Sequence, residues 1–358
     1  MKKYQLKIRS SALFALACIA AARVCAYADD ADSAGVKLRS VSIYGDMVAE
    51  VLVSARSAAL ASSDLAVNAA GPVASNPALT AHIAEPQLTL SYSNYYGNVF
   101  SASILNYTRR VGPNSGVGAT AAYLLIPGID DTRDVDIGAI DSDKIKTFTA
   151  SDVWARVSYG HSFAIKLADL YAGAAVGARR RNLGSENAYG IGADIGAMAF
   201  FKKPSIYAAL LWENVIYSIV RWQSSDYTEQ IPQHLRLSLA YEREDPYIYG
   251  RIALFYTSPD LLFNEGINHQ GQAHDREESR SPEIRTLSDG AGVLLSAGRY
   301  GIEYTIMKTL TLRAGAGSGG YTMGAGLTLF NGRAGADICY VNHELAGTVK
   351  ISVTYRWF

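Results

Sequence analysis

The last part of the chain, residues 291–358, alternates between apolar and polar side chains with the period of two that predicts β-strands. The final strand places Val349, Ile351, Val353, Tyr355 and Trp357 on one face and Lys350, Ser352, Thr354 and Arg356 on the other. Asn331-Gly332, between two earlier strands, is a strong signal for a tight β-hairpin. Long strands with one apolar face and one small or charged face are typical of a transmembrane β-barrel, whose apolar side chains face lipid and whose polar side chains face the lumen.

The same alternation predicts fourteen strands from residue 87 onward. They lie near 87–93, 98–109, 116–126, 149–161, 169–179, 187–201, 204–217, 233–243, 247–257, 291–306, 309–316, 321–330, 333–341 and 347–358. The long links, 127–148, 218–232 and 258–290, all follow odd-numbered strands, and every even-numbered link is short. Short turns on the periplasmic side and long loops outside the cell produce this sorting. We therefore predict an all-β fold: a 14-stranded antiparallel up-and-down transmembrane β-barrel with a short, partly helical N-terminal plug.

The chain begins with the pattern of a secretory signal. Basic residues up to Arg9 precede an apolar run at 12–22 that is too short to span a bilayer, and Ala26-Tyr27-Ala28 is a cleavage motif. We expect a signal peptide over 1–28 that is cleaved after Ala28, a plug over 29–85 and a barrel over 86–358. Cys18 leaves a lipoprotein leader as the alternative.

Composition excludes several classes of function. Removal of the leader, with its five basic and no acidic residues, changes the net charge from zero to −5. No basic patch is interleaved with aromatic residues, so no nucleic-acid partner is expected. No window of the mature chain is apolar over the ~18 residues of a membrane helix, whereas 23 Tyr and 32 Gly suit a barrel. A soluble all-β protein is the alternative fold.

Motifs for catalysis or cofactor binding are absent from the sequence. The glycine-rich runs 315–320 and 190–196 lack the spacing of nucleotide-binding loops, and they indicate a bend or the close approach of a neighbour. No nucleophile elbow is present, although an outer-membrane lipase would assemble its triad only in space. His269 and His274 lie near acidic residues in the ninth link, but without the spacing of a closed metal site. We expect no enzyme, no cofactor and no metal.

The segment before the barrel predicts a helix and a turn. Asp46 is a candidate N-cap for a helix through Leu60. One face of that helix would carry Val48, Val51, Leu52, Ala55 and Ala59. Asn76-Pro77-Ala78 is a turn sequence, and it would fix where this segment joins the barrel wall.

Polar faces of the late strands predict charge inside the lumen. These faces carry Arg313, Arg333, Asp337, Lys350 and Arg356. We expect an inward-facing basic cluster around a single acid.

The N-terminal motif resembles that of a known family. Residues 53–60, VSARSAAL, followed by Asn76-Pro77-Ala78-Leu79, resemble the start of FadL-like outer-membrane proteins, which include long-chain fatty acid transporters and PorV-like proteins of a secretion system. Residues 301–304 and 310–315 are similar to late strands of that family. Ala61 and Leu79 stand where the family pattern has glycine. The resemblance implies a plugged fourteen-stranded barrel that conducts hydrophobic ligands and opens laterally toward the bilayer.

Together, the pattern and the resemblance predict an outer-membrane channel for passive uptake of long-chain fatty acids or other hydrophobic molecules. The expected ligand-binding residues are Val48, Val51, Leu52, Ala55, Arg56 and Arg313, with the ligand's carboxylate near an arginine. Outer-membrane lipid and the barrel assembly machinery are the other expected partners. The alternatives are a non-transporting PorV-like scaffold or shuttle for a protein secretion system, and a general diffusion porin.

Overall fold

The structure, a computed structural model, describes residues 53–67, 76–131, 145–215, 218–223, 228–245, 249–262, 294–317, 320–343 and 345–357. The predicted signal peptide and the candidate cap Asp46 lie outside the described residues. The same holds for His269 and His274 of the ninth link.

The described residues form sixteen strands in one sheet. They are β1 (Gln87–Tyr95), β2 (Phe100–Arg110), β3 (Ser115–Asp131), β4 (Lys146–Ala164), β5 (Asp169–Leu183), β6 (Glu186–Lys202), β7 (Ser205–Glu213), β8 (Ser218–Trp222), β9 (Thr228–Ile231), β10 (His234–Asp245), β11 (Gly250–Thr257), β12 (Arg299–Ile306), β13 (Leu310–Gly317), β14 (Gly320–Leu329), β15 (Ala334–Val341) and β16 (Thr348–Arg356).

Fourteen of these strands close into an antiparallel barrel. Each strand of the ring pairs with its neighbours in chain order, and β16 pairs with β1 to complete it. The remaining two, β8 and β9, form a hairpin that pairs with β6 over 188–191, beyond the part of β6 that pairs with β7. The predicted barrel and its strand number are confirmed. The hairpin was missed because its strands are short and lie inside a link predicted as a loop.

The alternation along each strand separates an apolar outside from a polar inside. On β16, Val353 is 57% exposed on the outer surface, whereas Ser352 and Thr354 are buried on the inner face. The other outward residues predicted for this strand are also exposed. An apolar surface that encircles the whole barrel is stable in lipid and not in water, so the barrel is of the transmembrane kind. Among the described residues, no helix is long and apolar enough to cross a bilayer.

The connections sort as predicted. Within the ring, every even-numbered link has at most four residues, and the long links 132–145, 214–233 and 258–298 are all odd-numbered. We call the end of the barrel that carries the odd links the loop end, and the other the turn end. The predicted start of a strand at residue 291 is wrong, since residues 294–296 are helical and β12 begins at Arg299. Consecutive apolar residues such as Leu294 and Leu295 do not alternate, so they carry no strand signal.

Two short helices lie inside the barrel. Helix α1 (Ala55–Ala59) contacts the inner faces of β13 to β16, and α2 (Leu79–His82) contacts β2 to β5 on another side of the lumen. The N-cap of α1 is Ser54, whose hydroxyl accepts a hydrogen bond from the Ser57 amide at 3.2 Å. We call residues 53–67 and 76–86 the plug segment. It enters β1 directly at Gln87.

Candidate functional site

A buried arginine of the plug lies at the centre of an ion-pair network. Arg56, 1% exposed, donates from Nε to Glu303 on β12 at 3.0 Å and from Nη1 to Asp64 of the plug at 3.1 Å. Ser57 also donates to Asp64, and the Arg56 guanidinium lies 5.9 Å from the ring centre of Phe255. Burial alone would lower the pKa of Arg56, but the charges of Glu303 and Asp64 raise it above its ordinary value. Arg56 is therefore permanently charged and ties the plug to the wall.

On the wall, the network continues around the barrel. Glu303 also accepts from Arg313 on β13 at 2.7 Å and from Arg251 on β11 at 2.9 Å. Arg313 reaches Asp337 on β15 at 2.7 Å, and Arg251 reaches Glu242 on β10 at 2.9 Å. Five strands of the run from β10 to β15, all except β14, are thus joined with the plug in a network centred on one buried carboxylate. Nη2 of Arg56 is buried and has no hydrogen-bond partner among the described residues.

The turn after α1 docks where wall glycines leave room for it. Gly301 and Gly315 are paired in register on β12 and β13. A Cβ atom added to Gly315 would lie 2.5 Å from the Ala61 nitrogen, and one added to Gly324 on β14 would lie 2.6 Å from the Ala59 Cβ. Thr322 donates to the Ala59 carbonyl at 2.9 Å. The sequence run 315–320 was interpreted as allowing a bend or the close approach of a neighbour, and at Gly315 it allows the close approach.

The Asn76-Pro77-Ala78 turn docks on a second set of glycines. Gly116, Gly160, Gly173 and Gly196 form a continuous row, each paired in register with the next across β3 to β6. A Cβ added at any of the four would overlap atoms of Asn76, Pro77 or Thr80. Inside the turn, Asn76 accepts from the Ala78 amide at 3.0 Å and donates to the Leu65 carbonyl at 3.3 Å. The turn therefore joins the plug to the wall at this row, which we call the glycine row.

Between these two anchors, the plug contributes an apolar surface. Leu60, Val67 and Leu79 of the plug form one cluster with wall residues of β6, β7, β10 and β11. The wall members are Met198, Tyr207, Ala209, Ala240, Ala253 and Phe255, with Tyr171 and Phe200 packed against them. The lumen is therefore not uniformly polar: it has an apolar wall patch opposite the plug.

Aromatic rings cluster at the turn-end side of this patch. The His82 ring of α2 lies edge-on to Tyr171 at 5.1 Å and to Tyr207 at 6.2 Å between centroids, and Phe200 stacks on Tyr207 at 4.4 Å. Burial lowers the pKa of His82, so its ring is neutral near pH 7. The Tyr207 hydroxyl donates to Glu242 at 3.2 Å, which connects the rings to the ion-pair network.

Of the predicted ligand-binding residues, the structure places three and leaves three undescribed. Val48, Val51 and Leu52 lie outside the described residues. Ala55 is fully buried, and its amide donates to Ser352 on β16 at 2.8 Å. Arg56 and Arg313, predicted separately from plug and barrel, meet on Glu303.

The predicted inward basic cluster is partly wrong. Arg313 and Asp337 do meet, but Arg333 is exposed and Lys350 donates instead to the Tyr95 hydroxyl at 2.5 Å. Arg356 donates to the Gly332 carbonyl at 2.7 Å. The cluster has several acids, with Glu303 at its centre, because β11 pairs with β12 and β10 pairs with β11, which brings Arg251 and Glu242 alongside.

Sequence reasoning missed Glu303, Arg251, Glu242 and Asp64. One signal was available for Glu303: it follows the apolar Ile302 in an alternating strand, at an inward position, and β12 and β13 are joined by a short turn. That register places it opposite Arg313.

A closed fourteen-stranded barrel with an apolar outer surface and a segment docked on its inner wall is a transmembrane β-barrel with an internal plug. Similar solved structures include a Pseudomonas aeruginosa FadL homologue, at 11% identity and a TM-score of 0.49, covering 86% of this chain and 99% of that one. Another is the Pseudomonas putida toluene transporter TodX, at 12% identity and a TM-score of 0.48, covering 82% of this chain and 96% of that one. A third is the Acinetobacter baumannii outer membrane protein Omp33, at 9% identity and a TM-score of 0.38, covering 76% of this chain and 98% of that one.

The FadL-like barrels that the N-terminal motif resembles are thus among the similar solved structures. No protein-family model and no curated protein sequence matches the chain. The TM-scores are below 0.5, so the function of this chain rests on its own residues.

Proposed function

We propose that this protein is an outer-membrane channel for passive uptake of hydrophobic small molecules, with long-chain fatty acids as the favoured substrates. The observation that carries the proposal is the apolar contact between plug and wall inside the lumen. Leu60, Val67 and Leu79 meet Met198 and Phe255 there. A general pore has no use for such a surface, whereas an apolar ligand that replaces the plug on the wall gains from its burial.

The outward apolar surface and the sorting of links support an outer-membrane location. In this arrangement the long odd links face outside the cell and the turn end faces the periplasm. The plug, which we extend to residues 29–85, occupies the lumen of a barrel wide enough to leak without it.

The carboxylate of a fatty acid would bind at the arginines of the ion-pair network. Nη2 of Arg56 is the donor for which the described residues supply no acceptor. Arg313 would assist, since both guanidiniums converge on Glu303. The apolar tail would lie along the patch that the plug now covers, with Val48, Val51, Leu52 and Ala55 of the plug as further proposed contacts.

The experiment compares three proteins in planar bilayers and in a fluorescence assay of oleate binding. They are the full mature chain, a variant lacking residues 30–82, and a control lacking residues 264–288 of the ninth link. We expect the full chain and the control to be closed to ions and to bind oleate saturably. The variant without residues 30–82 should conduct ions without selectivity and lose saturable binding.

A plug-deleted barrel that stays closed and binds oleate with unchanged affinity contradicts the proposal. That result would favour the non-transporting scaffold, which co-purification with secretion components would then test. If the full mature chain is closed to ions and binds no oleate, long-chain fatty acids are excluded as substrates.

A further inference from the structure

The imidazole of His82, at the end of helix α2, lies among aromatic rings of the barrel wall. Tyr171 on β5 and Tyr207 on β7 are edge-on to it, with 5.1 and 6.2 Å between ring centroids, and Phe200 stacks on Tyr207. Nδ1 of His82 is buried and has no hydrogen-bond partner among the described residues. The neutral ring suits these surroundings, because a charged ring would need water or an acceptor at this nitrogen.

His82 belongs to the second anchor of the plug. Its helix follows the Asn76-Pro77-Ala78 turn directly, and a Cβ atom added to Gly116 or Gly160 of the glycine row would overlap Thr80 of the same helix. The fit of α2 on the wall is therefore close on both sides: backbone against glycines, and imidazole against aromatic rings. A change of charge on the imidazole acts on this anchor.

The charged groups around the rings do not supply a counter-ion. Asp169, the acid whose charge acts on His82, is itself paired with Lys202 at 2.9 Å. His82 forms no ion pair within the described part of the chain. The other charged side chains on the surrounding elements are Glu85, Arg110, Glu242 and Arg251, of which Glu242 and Arg251 pair with each other at 2.9 Å. A proton on His82 would thus add a positive charge without a partner to a mainly apolar site.

We propose that His82 is a proton-sensitive latch, which holds α2 on the wall at neutral pH and releases it in acid. The latch rests on the function proposed above, in which the plug closes the lumen. Burial keeps the pKa of His82 below its ordinary value of 6.5, so the docked state binds the proton less readily than the released state does. Docking therefore has its full strength above pH 6.5 and weakens as the pH falls below that value.

Release of α2 would open an outlet at the turn end. Leu79 of α2 covers the apolar wall patch, which Tyr171 and Phe200 extend toward the turns. Without α2, an apolar ligand on the patch has a path to the periplasmic side. Arg56 binds Glu303 on β12, whereas α2 packs on β2 to β5, so the ion pair of the first anchor stays in place. The latch thus assigns control of ligand exit to one half of the plug.

The test measures ion conductance of the full mature chain in planar bilayers at pH 7.5 and pH 5.5. His82→Phe keeps an aromatic ring that cannot take up a proton, and His82→Arg is charged at both pH values. His161→Gln is the matched control, because His161 lies at the same end of the barrel on the lipid-facing side, with Nδ1 2.9 Å from the Ser115 hydroxyl. The variant lacking residues 30–82 gives the fully open level. Heat-dependent gel mobility checks that each barrel is folded.

We expect the wild type and His161→Gln to conduct at least about fivefold more at pH 5.5 than at pH 7.5. His82→Phe should stay closed at both, and His82→Arg should conduct at both. In NMR spectra of the wild type in micelles, the His82 ring signal, assigned by its absence in His82→Phe, should titrate with a midpoint below pH 6.5.

The outcomes separate the latch from the proposed function. Equal opening of the wild type and His82→Phe at pH 5.5 overturns the latch and assigns the response to carboxylates. A wild type that is closed at both pH values, beside a plug-deleted variant that conducts, overturns the latch alone. A plug-deleted variant that is closed contradicts the proposed function and the latch with it.

Discussion

Arg56 of the plug and Arg313 of the wall donate to the same oxygen, Oε2 of Glu303, at 3.0 and 2.7 Å. Glu303 is 1% exposed, and its other oxygen accepts from Arg251 at 2.9 Å. A single buried carboxylate therefore contacts three guanidinium groups, one of which belongs to the plug. Its removal would break the ion pair between Arg56 and the wall and leave Arg56 paired with Asp64 of the plug.

Glu303→Gln should release the plug without unfolding the barrel. Loss of one member of a buried ion pair costs about 3–5 kcal/mol, and the plug can leave this environment whereas the wall cannot. Ion conductance in planar bilayers should rise from the closed level of the wild type. Glu244→Gln, a change at an exposed glutamate of β10, is the control and should stay closed. A closed Glu303→Gln channel would show that apolar contacts alone hold the plug.

Gly173→Ala should displace the Asn76-Pro77-Ala78 turn from the wall. The added methyl group would overlap the carbonyl of Pro77, a backbone group that cannot rotate away. Overpacking of this kind costs about 1–3 kcal/mol. Limited proteolysis of the plug should be faster than in the wild type. Ala174→Ser, on the adjacent lipid-facing position, should leave proteolysis unchanged, and equal rates for all three proteins would refute the docking role of the glycine row.

Ala61→Gly should stabilise the plug. Ala61 has φ of +52°, a left-handed conformation that costs a residue with a Cβ atom about 1 kcal/mol or more and costs glycine almost nothing. Hydrogen exchange of the amides at 60–67 should slow by about fivefold. Ala59→Gly, in helix α1, should have the opposite effect because glycine weakens a helix. Faster exchange in Ala61→Gly would mean that the alanine methyl group itself contributes packing.

Val353→Arg should impair assembly, whereas Arg356→Gln should be mild. Val353 faces lipid near the middle of β16, where a charge costs about 2–4 kcal/mol. Arg356 is half-buried near the turn end, and its Nη1 donates to the Gly332 carbonyl. The folded fraction after refolding into vesicles, read from gel mobility, should fall for the first variant only. Normal assembly of Val353→Arg would contradict the assignment of the outer face.

An epitope inserted at residue 272 should bind antibody on intact cells, and one inserted between Asn331 and Gly332 should not. The ninth link contains the first position and the twelfth link the second, so the two lie at opposite ends of the barrel. Labelling of both, or of the second alone, would reverse the orientation proposed for the membrane.

The barrel was predictable because the alternation of apolar and polar residues within each strand is enough to assign its outward and inward faces. Alternation at Val349 to Trp357 needs no knowledge of neighbouring strands, and short links fix which strands pair. The interior site depends on contacts between distant parts of the chain. Arg56 and Glu303 are 247 positions apart, and no local pattern relates them.

Glycines illustrate the same limit. The sequence indicated that the runs containing Gly196 and Gly315 permit a bend or the close approach of a neighbour, but not that the approaching group is the plug. Likewise, alanine is a residue type that normally avoids a left-handed backbone, so Ala61 itself gave no indication of its positive φ. The β8–β9 hairpin was hidden since strands of four or five residues give too few alternations to distinguish from a loop.

The two anchors of the plug have a consequence for the order of biogenesis. The plug is synthesised first, yet α1 rests on β13 to β16, which leave the ribosome last, while the Asn76-Pro77-Ala78 turn rests on β3 to β6. The part of the docking surface that α1 contacts is therefore not in place until the ring closes between β16 and β1. Contacts of such long sequence separation form late. A barrel that has not yet closed would consequently lack the docked plug. Docking of the plug would then mark the completion of barrel assembly.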